Sequence, residues 1–117
     1  MREFVDAAVR ETDKLIESGK VPKAADYIVD SVEFSPTPHP ENPNRAGQNV
    51  QESSPINRGS ITIYPRGATS LSEAFITYGH ELGHFNRNWT NSERLLDRYG
   101  QGIWNVRQGG TYTGPRP

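Results

Sequence analysis

Two histidines four residues apart flank a glutamate in the run His80-Glu81-Leu82-Gly83-His84. On a helix, residues at that spacing lie about 40° apart. Their imidazole nitrogens can therefore converge on one tetrahedral ion, at about 2.0–2.1 Å each. Glu81 falls about 100° round from His80, beside such an ion rather than on it. There its carboxylate can take a proton from a water whose pKa the ion lowers towards about 7, and pass it to a leaving group. The chain contains no Cys, which excludes thiolate zinc sites and disulfides alike.

A helix must present this run. Ser70-Leu71-Ser72-Glu73 has the form of a capping box, so a helix should begin near Leu71 and end near residues 86–88. Leu71, Ala74, Phe75, Tyr78, Leu82 and Phe85 recur at helical spacing. Most of this stripe lies roughly 140–220° round from His80, so the histidines project away from the expected core face. Thr90-Asn91-Ser92-Glu93 repeats the capping pattern and opens a second helix running to Gly100.

Upstream, residues 2–18 carry Phe4, Val5, Ala8, Val9, Thr12, Leu15 and Ile16 on one helical stripe, closed by Gly19 and Pro22. Residues 26–34 read as a strand with Ile28, Val32 and Phe34 on one side, broken by Asp30. A short strand over 59–65 alternates Ile61 and Ile63 against Thr62 and Tyr64 and ends at Pro65. Between them, residues 35–59 hold five prolines and almost nothing apolar, which predicts a long loop. That loop suits a cover over a cleft or a plain insertion. The tail, 108–117, is expected to be flexible, with a short strand before it around Ile103–Val106.

At 117 residues and 32% hydrophobic composition the chain is expected to form one small domain, 1–117. Thirteen basic and fourteen acidic residues leave a net charge of -1, so no basic face points to nucleic acid. No run reaches the roughly 20 apolar residues of a membrane span, and the charged start lacks a signal peptide's apolar core. These features predict a soluble protein, cytoplasmic as synthesised and open to export without a cleavable signal. Oligomeric state has no signature.

His-Glu-x-x-His on a helix is the zinc-peptidase signature, and HELGH following an edge-like strand resembles the zincin metallopeptidases over roughly residues 59–100. The resemblance implies an α+β, minimal zincin-like domain with a small twisted sheet, an N-terminal helix, the metal helix and a following helix. It also implies bound Zn2+, with His80 and His84 as ligands and Glu81 as the catalytic base, then acid.

A catalytic zinc site needs a third protein ligand and one open position. Metzincins would place Gly and His at 87 and 90, where Arg87 and Thr90 stand. His39, the remaining histidine, lies in the proline-rich loop, which preorganises it poorly. Glu93 and Asp97 share one face of the second helix. An antiparallel hairpin would bring Glu93 level with His84 and Asp97 level with His80. Gluzincins use such a pair as ligand and orienting partner; aspzincins use an Asp before Tyr-Gly, which Asp97-Arg98-Tyr99-Gly100 resembles with one residue missing. Glu93 is the favoured third ligand and Asp97 the alternative, with Asp97 otherwise orienting His80. Tyr99 and Tyr112 are candidate donors to a developing oxyanion.

The expected function is zinc-dependent hydrolysis of peptide bonds in a protein or peptide substrate, paired by strand addition to Ile61–Tyr64. By family analogy this suits an effector, toxin or stress-response protease. The alternative is a non-catalytic, zincin-like interaction domain using the proline-rich loop, Trp104 and Tyr112. A third is a fragment of a larger protein in which the motif is coincidental.

Overall fold

Helical periodicity in the first residues is realised as α1 (Arg2–Glu17), which buries Val5, Ala8 and Thr12 and ends before Gly19 at φ 78°. A computed structural model describes all 117 residues. Three strands follow, β1 (Ile28–Phe34), β2 (Gly47–Gln51) and β3 (Arg58–Ile63), and then α2 (Leu71–Gly83) and α3 (Glu93–Arg107). The protein is thus α+β, with three helices and one three-stranded sheet in the order β1-β3-β2. β3 is central, parallel to β1 and antiparallel to β2. No helix is long and apolar enough to cross a membrane.

Ile61 and Ile63 of β3 are fully buried beneath the helices, while Ser60 and Thr62 alternate to the other side. On β1 the simple alternation fails. A register shift between Val29 and Ser31 turns Val29, Val32 and Phe34 inward and leaves Ile28 46% exposed. Asp30, at this irregularity, forms an ion pair with Arg58 on β3.

Two expectations are corrected. The stretch 35–59 is not all loop, because it contains β2 and the start of β3. β2 escapes an apolar-pattern search because Gly47-Gln48-Asn49-Val50-Gln51 has a single hydrophobic residue. Its place in the sheet comes from backbone pairing with β3 and from polar side chains. The strand expected around Ile103–Val106 is instead the continuation of α3, which does not stop at Gly100. Gly100 is a packing residue: a Cβ there would lie 2.2 Å from the Ile76 carbonyl oxygen, and one at Gly79 would lie 2.6 Å from Gly100 Cα. The two glycines let α2 and α3 cross at close range, which brings the start of α3 beside the histidines.

Gly100→Ala should therefore destabilise the protein by about 2 kcal/mol or more, although alanine gains about 1 kcal/mol in intrinsic helix propensity. Urea unfolding checks this; an unchanged midpoint would mean the helices do not need the close approach.

The 108–117 tail has no regular structure, but Tyr112 is buried against Tyr99 with ring centroids 6.3 Å apart. Its hydroxyl donates to the Pro115 carbonyl. Trp104 packs on Phe75 at 5.2 Å. Tyr112 is thus a core residue and Trp104 is half-buried.

Candidate metal and catalytic site

The helix start is as the sequence implies. Ser70 caps α2, its hydroxyl accepting from the Glu73 N–H at 3.1 Å. Ala74, Phe75, Tyr78, Leu82 and, just beyond the helix, Phe85 are buried, so His80 and His84 point away from the core into a cleft of about 620 Å³. Residues 45–49 form one wall, α2 the floor, and Glu93 and Asp97 of α3 the other side.

Each histidine is held by its Nδ1. Asp97 Oδ1 lies 2.7 Å from Nδ1 of His80, and Thr90 Oγ1 lies 2.9 Å from Nδ1 of His84. With both Nδ1 atoms engaged, each Nε2 is left for another partner. The ring centroids are 5.2 Å apart. His80 Nε2 meets Glu93 Oε2 at 3.5 Å, and His84 Nε2 meets Glu81 Oε1 at 3.9 Å.

Two clusters result, each with ligand atoms within 4.8 Å of one another: His80, Glu81 and His84, and His80, Glu93 and Asp97. They share His80. Glu93 stands beside His80, not level with His84 as the hairpin argument expects, and its side chain is 77% exposed. Glu93 is also not a capping-box residue. Ser92 caps α3 by accepting from Leu95 N–H, which makes Glu93 the first residue of the helix. Asp97 is level with His80, as expected.

Glu81 is buried, 3% exposed, and its pKa is pushed up to about 7, chiefly by desolvation. His80 and Arg45 oppose the rise and Glu93 adds to it. Burial, assisted by His80, lowers the pKa of His84, which favours the neutral imidazole a metal requires. Donors of nitrogen and carboxylate oxygen, with no sulfur, can hold a divalent transition metal such as zinc, so the residues fit the ion that the motif implies.

The buried Glu81 makes a prediction for the metal-free protein. Its folded pKa, about 7, lies above its ordinary 4.5, so its stabilising contribution is complete below pH 4.5 and is lost as pH rises to 7. At about 1.4 kcal/mol for each pH unit, the loss is roughly 3 kcal/mol. Urea titrations of chelated protein should show this fall, and Glu81→Gln should remove most of it. An equal fall in the variant would place its cause elsewhere.

The stretch 35–59 contributes more than sequence reasoning assigned to it. α2 ends at Gly83 in a tight turn, in which the His84, Phe85 and Asn86 N–H groups bond back to the Glu81, Leu82 and Gly83 carbonyls. Side-chain amides bind the carbonyls of this segment: Asn49 Nδ2 donates to Glu81 O at 2.9 Å, Gln51 Nε2 to His84 O at 3.0 Å, and Asn57 Nδ2 to Phe85 O at 3.0 Å. The strand and hairpin thereby clamp the end of α2 and the turn that carries His84. A Cβ on Gly47 would stand 3.1 Å from Glu81 Oε2, so the β2 backbone runs directly beside the carboxylate.

His39 is not in the cleft. Its Nδ1 accepts from the Glu41 and Asn42 N–H groups, and its ring meets Tyr64 edge-on at 5.4 Å. Tyr99 is fully buried, its hydroxyl donating to Pro22 O at 2.7 Å, and Tyr112 is spent in the tail. These two tyrosines are core residues rather than oxyanion donors. Arg45, which sequence reasoning passed over, is the one cationic side chain lining the cleft. Thr90 was legible only as the start of a capping box, yet it is the partner of His84.

No family model matches the chain, and comparison with curated proteins and with solved structures likewise found no match.

Proposed function

We propose that the protein is a zinc-dependent peptidase with a zincin-like fold. The observation that carries this reading is the pair of histidines held through Nδ1, converging beside a buried glutamate in an open cleft. His80 and His84 would hold the ion through Nε2, with Asp97 and Thr90 keeping the tautomers and ring orientations that leave those atoms free. Glu93 is the third ligand in this reading, and closing the set requires its exposed side chain to swing towards His84.

When bound, zinc would supply Lewis acidity to the scissile carbonyl and to the attacking water. Glu81 accepts the water's proton and delivers it to the leaving amine nitrogen. In the metal-free protein burial raises the pKa of this carboxylate to about 7, so it readily takes up a proton. Arg45 takes the place of the two core tyrosines as the side-chain donor available to negative charge in the cleft.

A peptide substrate is favoured by the sheet. β3 has strands on both sides, so it cannot accept an added strand as the sequence suggests. β2 is an edge strand, pairs only with β3, and lies beside Glu81. An extended peptide paired along its free side would pass over the histidines.

Elemental analysis of purified protein tests the reading: about one zinc per chain is expected, and His80→Ala should lose it. A parent protein that holds none after refolding with zinc would end it.

A further inference from the structure

Among the carboxylates lining the cleft, Glu81, Glu93 and Asp97 each have a histidine beside them, whereas Glu73 has no partner. In a complete capping box Glu73 would bond back to the Ser70 N–H. Only the other half forms, with Ser70 Oγ accepting from Glu73 N–H, and the Glu73 carboxylate makes no hydrogen bond or ion pair. It lines the cleft half-exposed. Arg45 does not neutralise it; that guanidinium donates to Gln48 Oε1 at 3.3 Å and acts on Glu81.

Glu73 and His80 are seven residues apart on α2, which puts them about 20° apart round the helix and about 10 Å apart along it. An extended peptide advances about 3.3 Å per residue. A substrate crossing His80 beside β2 therefore brings a side chain to Glu73 about three residues from the reacting bond. Little else there would recognise an apolar side chain, because Ala46 and Ile76 are the only hydrophobic residues lining the cleft.

We infer that Glu73 is a specificity-determining residue that pairs with a lysine or arginine side chain of the substrate, about three residues from the bond cut. The inference rests on the peptidase reading of the same cleft. It assigns the substrate class, a basic peptide segment, from the one uncompensated carboxylate on the path.

The test uses zinc-loaded Glu81→Gln protein and fluorescent, otherwise uncharged peptides carrying one lysine or its uncharged isostere norleucine at successive positions. Fluorescence anisotropy should show the best-placed lysine peptide binding about fivefold more tightly than its norleucine twin. Adding Glu73→Gln should shrink that ratio below about twofold, and Glu73→Arg should reverse it towards a glutamate peptide. Equal binding of the twins, or a lysine preference that survives Glu73→Gln, overturns the inference. The same peptides given to protein with Glu81 intact separate the two readings. Cleavage without lysine preference leaves the peptidase and removes the role of Glu73; Glu73-dependent binding without cleavage removes the peptidase and leaves a cation-recognising cleft.

Discussion

Glu81→Gln should abolish most turnover while leaving zinc in place, with kcat falling by about 10²–10⁴-fold, the usual contribution of general acid–base catalysis. The amide matches the carboxylate in shape but can neither accept the water's proton nor return it. It should also fit the site well. Glu81 is 3% exposed, so a neutral group escapes the desolvation that raises the carboxylate's pKa to about 7. Loss of activity should therefore come without unfolding, and metal content and urea stability measured on the same preparation check the separation. Glu81→Ala is a poorer probe because it leaves a cavity beside the His84 ring. A variant that hydrolyses substrate at the parental rate would remove Glu81 from the chemistry and the proposed mechanism with it. An interaction domain using the same fold would be indifferent to the change, which makes this substitution the sharpest division between the two functions the sequence allows.

What was legible in advance follows from where the information is local. The helix carrying the histidines is specified within its own residues by Ser70 as cap and by an apolar stripe that is in fact buried. The outward direction of His80 and His84 follows from the same periodicity. Asp97 was found because i,i+4 spacing on one helix and a tight turn between helices constrain what can face what. The rest depends on contacts distant in sequence. Asn49 and Gln51 stabilise the end of α2 from more than thirty residues away, and an amide-rich stretch with a single apolar residue announces only a loop. Gly100 has the local signature of a helix stop, and only the Ile76 carbonyl lying against it shows why a glycine stands inside the helix. The β1 irregularity changes which side faces the core midway through the strand, so strict alternation puts Ile28 on the wrong side. Tyr99 and Tyr112 were attractive as oxyanion donors by position alone, and their partners, two proline carbonyls, are tertiary and tail contacts.

The division of labour between Glu93 and Asp97 predicts the second large effect. Glu93→Gln should cost zinc affinity heavily, whereas Asp97→Asn should cost the roughly 10–100-fold typical of a residue that orients a ligand, or less. Asp97 is already committed to the Nδ1 of His80 at 2.7 Å, so it sits behind the ring. An asparagine can still accept from that nitrogen through its Oδ1, losing charge but retaining direction. Glu93 instead meets the Nε2 of the same ring at 3.5 Å, on the side where the ion would lie. Its replacement by an amide removes an anionic donor from a site that otherwise has two neutral imidazoles, a set too weak to retain zinc against competition. Titration against a chromophoric chelator measures both affinities on one scale. A heavy loss for Asp97→Asn with a mild one for Glu93→Gln would exchange the two roles. It would also require Asp97 to leave the Nδ1 of His80 and come round to the face that Glu93 occupies, a rearrangement detectable as an altered His80 tautomer in nitrogen NMR. Equal and mild losses would mean that neither carboxylate binds the ion. In that case His80, Glu81 and His84, already within 4.8 Å of one another, would be the ligand set, and Glu81 would be a ligand rather than a base.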